Sequence, residues 1–369
     1  MSHKTQEQLL YQIGITLLPG VGDVNAKKLI AYCGGVEAVF KQKKSHLLKI
    51  DGIGSKLADA IINQTVLKRA EEEILFIEKN KIQTFFFTDK NFPIRLKQAM
   101  DSPIMLYYKG NANLNQRKIL SVVGTRKVTE RGKAICDKII SGFEDEEVLI
   151  ISGLAYGVDT QAHKSSLKYG LNTVGILAHG LDRIYPDINR GLAKRMIEHG
   201  GLLTDFISKT IPDAPNFPKR NRIIAGLSDA VLVIESASKG GSLITADIAN
   251  SYNRDVFAVP GRPDDKYSKG CNFLIRSNRA ALVESAKDIR YLMGWDTSKK
   301  EKIIQRKLFV ELKPEEELLM KIIREEKDPT IDLIALKAQM PMSKVSVTLL
   351  NMEFEGLLRC LPGKVFKPV

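Results

Sequence analysis

The chain has 369 residues, more than one ordinary hydrophobic core holds, so two to four domains are expected. Hydrophobic residues make up 44% and charged residues 27%, a globular balance that excludes a disordered chain. The 56 basic against 43 acidic side chains leave a formal charge of +13, which favours polyanionic partners. Cys33, Cys136, Cys271 and Cys360 show no C-x-x-C spacing and no neighbouring histidine pattern, so neither a metal site nor a disulfide framework is expected. The opening MSHKTQEQLLYQ has no apolar signal core, and no run approaches about eighteen apolar residues. A cytoplasmic, soluble protein with no membrane span is the expectation.

Residues 1–70 contain two segments that echo each other, LPGVGDVNAKKLI from Leu18 and IDGIGSKLADAII from Ile50. Each is read as a helix-hairpin-helix unit in which Gly20 and Gly22, or Gly52 and Gly54, permit a tight turn into a helix. Two readings stay open: the turns cradle a phosphate with their N–H groups, or the hairpins only pack on each other. Residues 71–115 begin with a charged helical stretch. Phe92-Pro93 and Ser102-Pro103 then break any helix, predicting a small subdomain that leans on the neighbouring α/β region.

From 116 to 296 apolar runs alternate with helical stretches. The runs are KILSVVG, VLIISG, TVGILAHG, GLLTDF, AVLVIES and DVFAVPG. Short continuous Val/Ile/Leu runs, mostly followed by glycine loops, predict strands buried on both faces of a parallel, doubly wound α/β sheet. Ligands of such sheets sit beyond the strands' carboxyl ends, where these loops gather. Residues 297–312 look like a basic linker. In 313–369, helices over Pro314–Lys327, Ile331–Gln339 and Ser343–Leu358 and a hairpin over Arg359–Val369 predict a winged-helix domain.

The first strand ends in Gly124-Thr125-Arg126, and Gly132 comes too late for a dinucleotide fingerprint. Glycine and a small hydroxyl still offer N–H groups to an anion, and Arg126 either forks a phosphate or caps a neighbouring element. The second loop opens with Ser152-Gly153 and leads to His163, read as a packing histidine because no catalytic partner sits at a diagnostic spacing. His179 poses the same question and is left open.

The densest signal is NFPKRNRIIAGL from Asn216, with Pro218 early in a helix. Phe217 can stack a base, Asn221 can read an edge, and Lys219, Arg220 and Arg222 can meet the backbone of a single strand. The bland alternative is a buried Phe217 beside a solvated basic helix start. Gly240-Gly241-Ser242 opens another helix, and Asn272 lies near the start of a later one, available for hydrogen bonding.

Seven stretches recur in a fixed order: GTR at Gly124, SGLAYGVDTQAH at Ser152, GLDRIYP at Gly180, NFPKRNRIIAGLSDAVLVIES at Asn216, GGSLITA at Gly240, FAVPG at Phe257 and GCNFLIR at Gly270. With KNFPIRLKQAMDSPIMLYYKGN they resemble the DNA-processing protein A (DprA/Smf) family over roughly two thirds of the chain. The resemblance implies an extended Rossmann-like sheet, a homodimer, cooperative binding and protection of single-stranded DNA in natural transformation, and loading of the RecA recombinase. It implies no catalytic turnover and no cofactor. By this match the candidate DNA-binding residues are Gly124, Thr125, Arg126, Ser152, Gly153, Phe217, Lys219, Arg220, Asn221, Arg222, Gly240, Gly241, Ser242 and Asn272. Tyr156 and the stretch Ala178-His179-Gly180 depart from the family pattern.

Two rivals have sequence counterparts. The α/β pattern also resembles lysine-decarboxylase-like phosphoribohydrolases, which hydrolyse nucleotides, but here only Gly240 and Gly241 of their glycine loop remain, with Asp247 as the carboxylate candidate. A duplex-DNA regulator would read the major groove through the third winged helix, whose single early base is Lys344.

Overall fold

A computed structural model describes residues 6–295, 312–326, 329–355, 357–361 and 365–368, which fall into two compact units, 1–296 and 297–369. Apart from its last residue, the linker expected over 297–312 lies outside the described residues. Among the described residues no helix is long and apolar enough to cross a membrane.

The first unit opens with α1 (Gln6–Leu17), α2 (Asp23–Cys33), α3 (Val36–Phe40), α4 (Lys44–Leu47), α5 (Ser55–Ile62) and α6 (Val66–Asn80). The echo in sequence is an echo in geometry. Gly20 and Gly52 have φ of +77° and +85°, a region that favours glycine. Gly22 and Gly54, which precede α2 and α5, share φ/ψ of −84°/173° and −82°/174°. A Cβ on Gly20 would meet the Leu57 side chain of α5, and one on Gly52 would meet Asn25 and Lys28 of α2. The two hairpins therefore pack crosswise on each other's helices.

Next come β1 (Gln83–Phe86), α7 (Ile94–Lys97) and β2 (Met105–Gly110). These are not an appendage leaning on the sheet but its edge: β1 pairs antiparallel with β2, and β2 antiparallel with a later strand through Tyr107↔Thr204 and Tyr108↔Leu203. The physical reason is alternation. Phe85, Leu106 and Tyr108 point into the core under the main sheet, whereas Phe86, Met105 and Tyr107 point into the core of the N-terminal helices, so both faces are buried.

The remaining elements are β3 (Lys118–Val123), α8 (Glu130–Ser141), β4 (Val148–Ser152), α9 (Val158–Lys168), β5 (Thr173–Ile176), α10 (Arg190–Glu198), β6 (Gly200–Thr204), α11 (Asn216–Leu227), β7 (Ala230–Val233), α12 (Gly241–Ser251), β8 (Asp255–Ala258), α13 (Lys269–Arg276), β9 (Ala281–Leu282) and α14 (Ala286–Met293). The nine strands run β1-β2-β6-β5-β4-β3-β7-β8-β9, and all from β6 to β9 are parallel. This is a mixed, Rossmann-like α/β sheet. Ile119, Leu149 and Val231 bury one face, and Leu120, Ile150 and Leu232 the other. Chain order reverses between β3 and β7, so the loops after β3, β4 and β7 emerge around the switch point.

The second unit is a winged helix: α15 (Pro314–Glu325), α16 (Ile331–Ala338) and α17 (Met342–Phe354) with a hairpin of β10 (Leu358–Leu361) and β11 (Val365–Pro368). The third helix ends at Phe354, short of the expected Leu358, because Leu358 is buried as the first residue of the hairpin and pairs with Pro368.

Candidate nucleic-acid interface

The loop after β3 is clamped from both sides. Thr125 N–H donates to the Glu235 carbonyl (2.8 Å), and the Thr125 carbonyl accepts from Val158 N–H (3.2 Å). Gly157 has φ +80°, and a Cβ there would overlap the Thr125 carbonyl oxygen, so only glycine lets the loop after β4 close on this one. Beneath, the Glu235 carboxylate is 7% exposed and accepts from Thr129 N–H (2.9 Å) and Thr129 Oγ1–H (2.5 Å). Thr129 Oγ1 in turn caps α8 by accepting from Gly132 N–H. Held in this way, the loop presents the exposed Arg126 side chain.

The Arg126 guanidinium lies 5.2 Å from the centre of the Phe217 ring, and the Tyr185 ring lies 6.2 Å from Phe217 at 56°. Arg126 and Tyr185 are exposed and Phe217 half-buried. Cation, half-buried ring and exposed ring thus form one continuous surface built from the loop after β3, the loop after β5 and the first turn of α11. Among the described residues neither Arg126 nor the exposed Lys219 has a carboxylate within ion-pair distance. Asn221 is half-buried on the same helix.

Arg220 and Arg222 belong to the interior instead. Arg220 is 5% exposed, and its Nη1 donates to the carbonyls of Gly153 (2.6 Å) and Ile176. It stabilises the buried Asp159, whose carboxyl burial pushes above its ordinary value against the pull of that arginine. Gly153 is required at this junction, because a Cβ would collide with both Asp159 and Arg220. Arg222 donates from Nη2 to Asp23 and Asp205 (2.9 Å each) and from Nη1 to the Asp101 carbonyl. A backbone-contacting role for these two cations is corrected accordingly. Their helix gave the signal: Arg220, Ile223, Ile224 and Leu227 recur at the spacing of one buried helical face.

Other expected residues are likewise engaged. Ser152 Oγ–H donates to the Val122 carbonyl (2.6 Å), and Ser242 Oγ–H to Ser236 Oγ (2.9 Å). Asn272 exchanges two hydrogen bonds with the backbone of Gly261 (3.1 and 2.9 Å), so its amide shapes a loop. Gly240 packs on Ser236 at the start of α12, whereas Gly241 is open. His163 is fully buried, with Nδ1 2.7 Å from Thr173 Oγ1, and burial pushes its imidazole down to about 3. It is a packing histidine.

Arg126, Gly153, Phe217 and Arg220 meet in one recess of about 50 Å3 with Tyr156, His179 and Tyr185. Neither tyrosine nor Asp159 was singled out as a site residue from sequence. A roomier depression of about 360 Å3 lies among Asn113, Arg117, Glu146, Glu147 and Asn172. It has no aromatic lining and sets two carboxylates against one cation, so chemistry, not size, favours the smaller recess for a nucleic acid.

The family model of DNA recombination-mediator protein A matches residues 83–294. The chain belongs to this family. The DprA winged helix domain matches 311–364. The chain is 35% identical over 291 residues to the protein Smf of a Synechocystis species, covering 77% of this chain and 72% of that one. It is 39% identical over 212 residues to the DNA processing protein DprA of Streptococcus pneumoniae, covering 58% and 74%. The crystal structure of the pneumococcal DprA aligns with a TM-score of 0.66 at 31% identity, covering 79% of this chain and 98% of that one. A DNA processing protein A from Helicobacter pylori, whose structure is described for its single-stranded DNA binding mode, aligns with a TM-score of 0.53 at 25% identity, covering 58% and 97%. The shared region spans the sheet and all the loops described above.

Proposed function

We propose that this chain binds single-stranded DNA across the carboxyl ends of the sheet and acts in DNA processing during transformation. The observation that carries this reading is the Arg126 guanidinium, without an ion-pair partner among the described residues, resting on Phe217 beside Tyr185. A cation and two rings on one surface suit a flexible strand that offers a phosphate and an unstacked base together, and they suit a duplex poorly because its bases stay stacked. The Helicobacter relative supports the same ligand class.

Within this reading the protein is a homodimeric, cytoplasmic binding protein that protects incoming strands and hands them to the RecA recombinase, without turnover. Family membership supports the mediator role. Asp247, the carboxylate that a nucleotide hydrolase would need, is half-exposed and paired with Arg279 (3.2 Å), which disfavours the hydrolase alternative. The winged helix gives little support to duplex reading: α17 exposes Val347, Leu350 and Phe354, and Lys344 is paired with Glu315. A salt-titrated gel shift with single strands and the matching duplex tests the assignment. Preference for the duplex would overturn it.

A further inference from the structure

Two side chains of α6, one helical turn apart and both ahead of the region 83–294 that the family model matches, grip a single residue of the loop after β6. The Glu73 carboxylate, 1% exposed, accepts from Ser208 N–H (2.9 Å) and from Ser208 Oγ–H (2.5 Å). Arg69 Nη2 donates to the Ser208 carbonyl (2.7 Å) and to Glu73 itself (2.8 Å). Every polar atom of Ser208 is thereby held by one N-terminal helix, 135 and 139 residues away in sequence. A largely buried ion pair closed on a serine contributes little net stability, because apolar side chains of the same volume would close the gap at lower desolvation cost. The polar clasp therefore calls for a reason other than stability.

What the clasp fixes is the path of the backbone beyond it. Lys209 follows with φ +69°, a left-handed conformation that a lysine rarely adopts and that persists only where neighbours hold it. Its N–H donates to Asp182 Oδ1 (3.0 Å), and the Thr210 carbonyl accepts from Gly180 N–H (3.3 Å). A Cβ on Gly180 would overlap the Ile207 carbonyl oxygen and Ser208 Cα, so the loops after β5 and β6 touch backbone to backbone. The first of these loops carries Tyr185, and the second runs into α11, whose first turn carries Phe217. We propose that Glu73 and Arg69 are positioning residues for strand binding: acting through Ser208, they set the Tyr185 ring against Phe217. This rests on the single-strand reading above and extends the machinery of that site to the N-terminal helices.

The test is a double-variant cycle on the full chain, read as affinity for short oligothymidylate over a range of salt. Glu73→Gln removes a negative charge, which by itself favours a polyanion, so charge and positioning predict opposite signs. The expected result is binding about three- to tenfold weaker, with the slope of log K against log salt unchanged. In a Tyr185→Ala background the same substitution should change affinity by less than about twofold, because the ring that the clasp orients is gone. A carboxylate needed only for folding would lower the urea midpoint and leave the affinity of the folded protein as it was. Where Glu73→Gln does not fold, Ser208→Ala, which loses one hydroxyl and keeps the N–H bond to Glu73, carries the same cycle. Unchanged or tighter binding by the folded variant overturns the proposal, and so does an equal loss with and without Tyr185. No binding of oligothymidylate by the unaltered protein would instead sink the single-strand reading.

Discussion

Arg222 on α11 and Asp23 at the start of α2 are joined at 2.9 Å, although 199 residues separate them in sequence. The same guanidinium nitrogen reaches Asp205 at 2.9 Å. One side chain thus ties the first N-terminal hairpin and the loop after β6 to the helix whose first turn presents Phe217.

Arg222→Ala should destabilise the first unit by about 3–5 kcal/mol, because it strands the largely buried Asp205 carboxylate. Asp23→Asn removes only one of the two carboxylates that hold Arg222 and should cost less. Urea unfolding followed by circular dichroism ranks the two, and equal small losses would contradict the role given to Arg222.

Arg126→Ala should lower affinity for oligonucleotides of any sequence and reduce the slope of log K against log salt by about 0.7, the value for one phosphate contact on a single strand. Phe217→Ala should lose about 1–3 kcal/mol with the slope unchanged. Because the guanidinium lies over the ring, the double variant should depart from additivity by about 0.5 kcal/mol or more. Additive losses would mean that the two side chains act apart.

Arg220→Ala is expected to behave differently from Arg126→Ala. It leaves Asp159 without its buried cation and two carbonyls without a donor, so the loss should appear mainly in stability, at about 3–5 kcal/mol. Thermal unfolding of both variants distinguishes the interior arginine from the surface one.

Gly157→Ala forces a Cβ into the Thr125 carbonyl at a positive φ, so the loops after β3 and β4 must separate. Weaker strand binding together with a lower unfolding midpoint is the expected outcome. A fully active, equally stable Gly157→Ala protein would show that the clamp does not hold Arg126 in place.

His163 supplies a pH signature. Its folded-state value of about 3 lies below the ordinary 6.5, so between these limits the unfolded chain binds the extra proton. Stability is therefore lost as pH falls through about 6.5 toward 3, at up to about 1.4 kcal/mol per pH unit from this group. Burial raises Asp159 and Asp205, which bends the total the other way in acid, so the informative quantity is the difference between the protein and His163→Asn. Unfolding midpoints measured at neutral and mildly acidic pH should converge for the two as the pH drops.

The parallel strands were legible because a strand buried on both faces is apolar at nearly every position, and KILSVV or VLII admits few other readings. The paired hairpins were legible because each turn needs glycine at the same step. Legibility stopped at direction. NFPKRNR announces a basic, aromatic helix start, yet its arginines turn inward while Phe217 and Lys219 reach solvent, and composition does not carry that rotation. The 3.6-residue period of α11, followed onward to Leu227, does carry it for Arg220. Nothing local foretold that Asn272 would be held by Gly261, because that bond forms only once two loops meet.

By itself, then, the sequence determined the kinds of elements, their order, the parallel sheet, the duplicated hairpins and the family, because these follow from apolar periodicity, glycine turns and the wording of short motifs. The tertiary structure decided which polar groups remain available to a ligand. Burial and hydrogen bonding consumed Ser152, Arg220 Nη1, Arg222 and Asn272 for folding, and left Arg126, Phe217 and Tyr185 at the open end of the sheet. An unfolded chain exposes all of these groups alike. Only packing, which sets each side chain's partners across long sequence separations, separates those that hold the protein together from those that can hold something else.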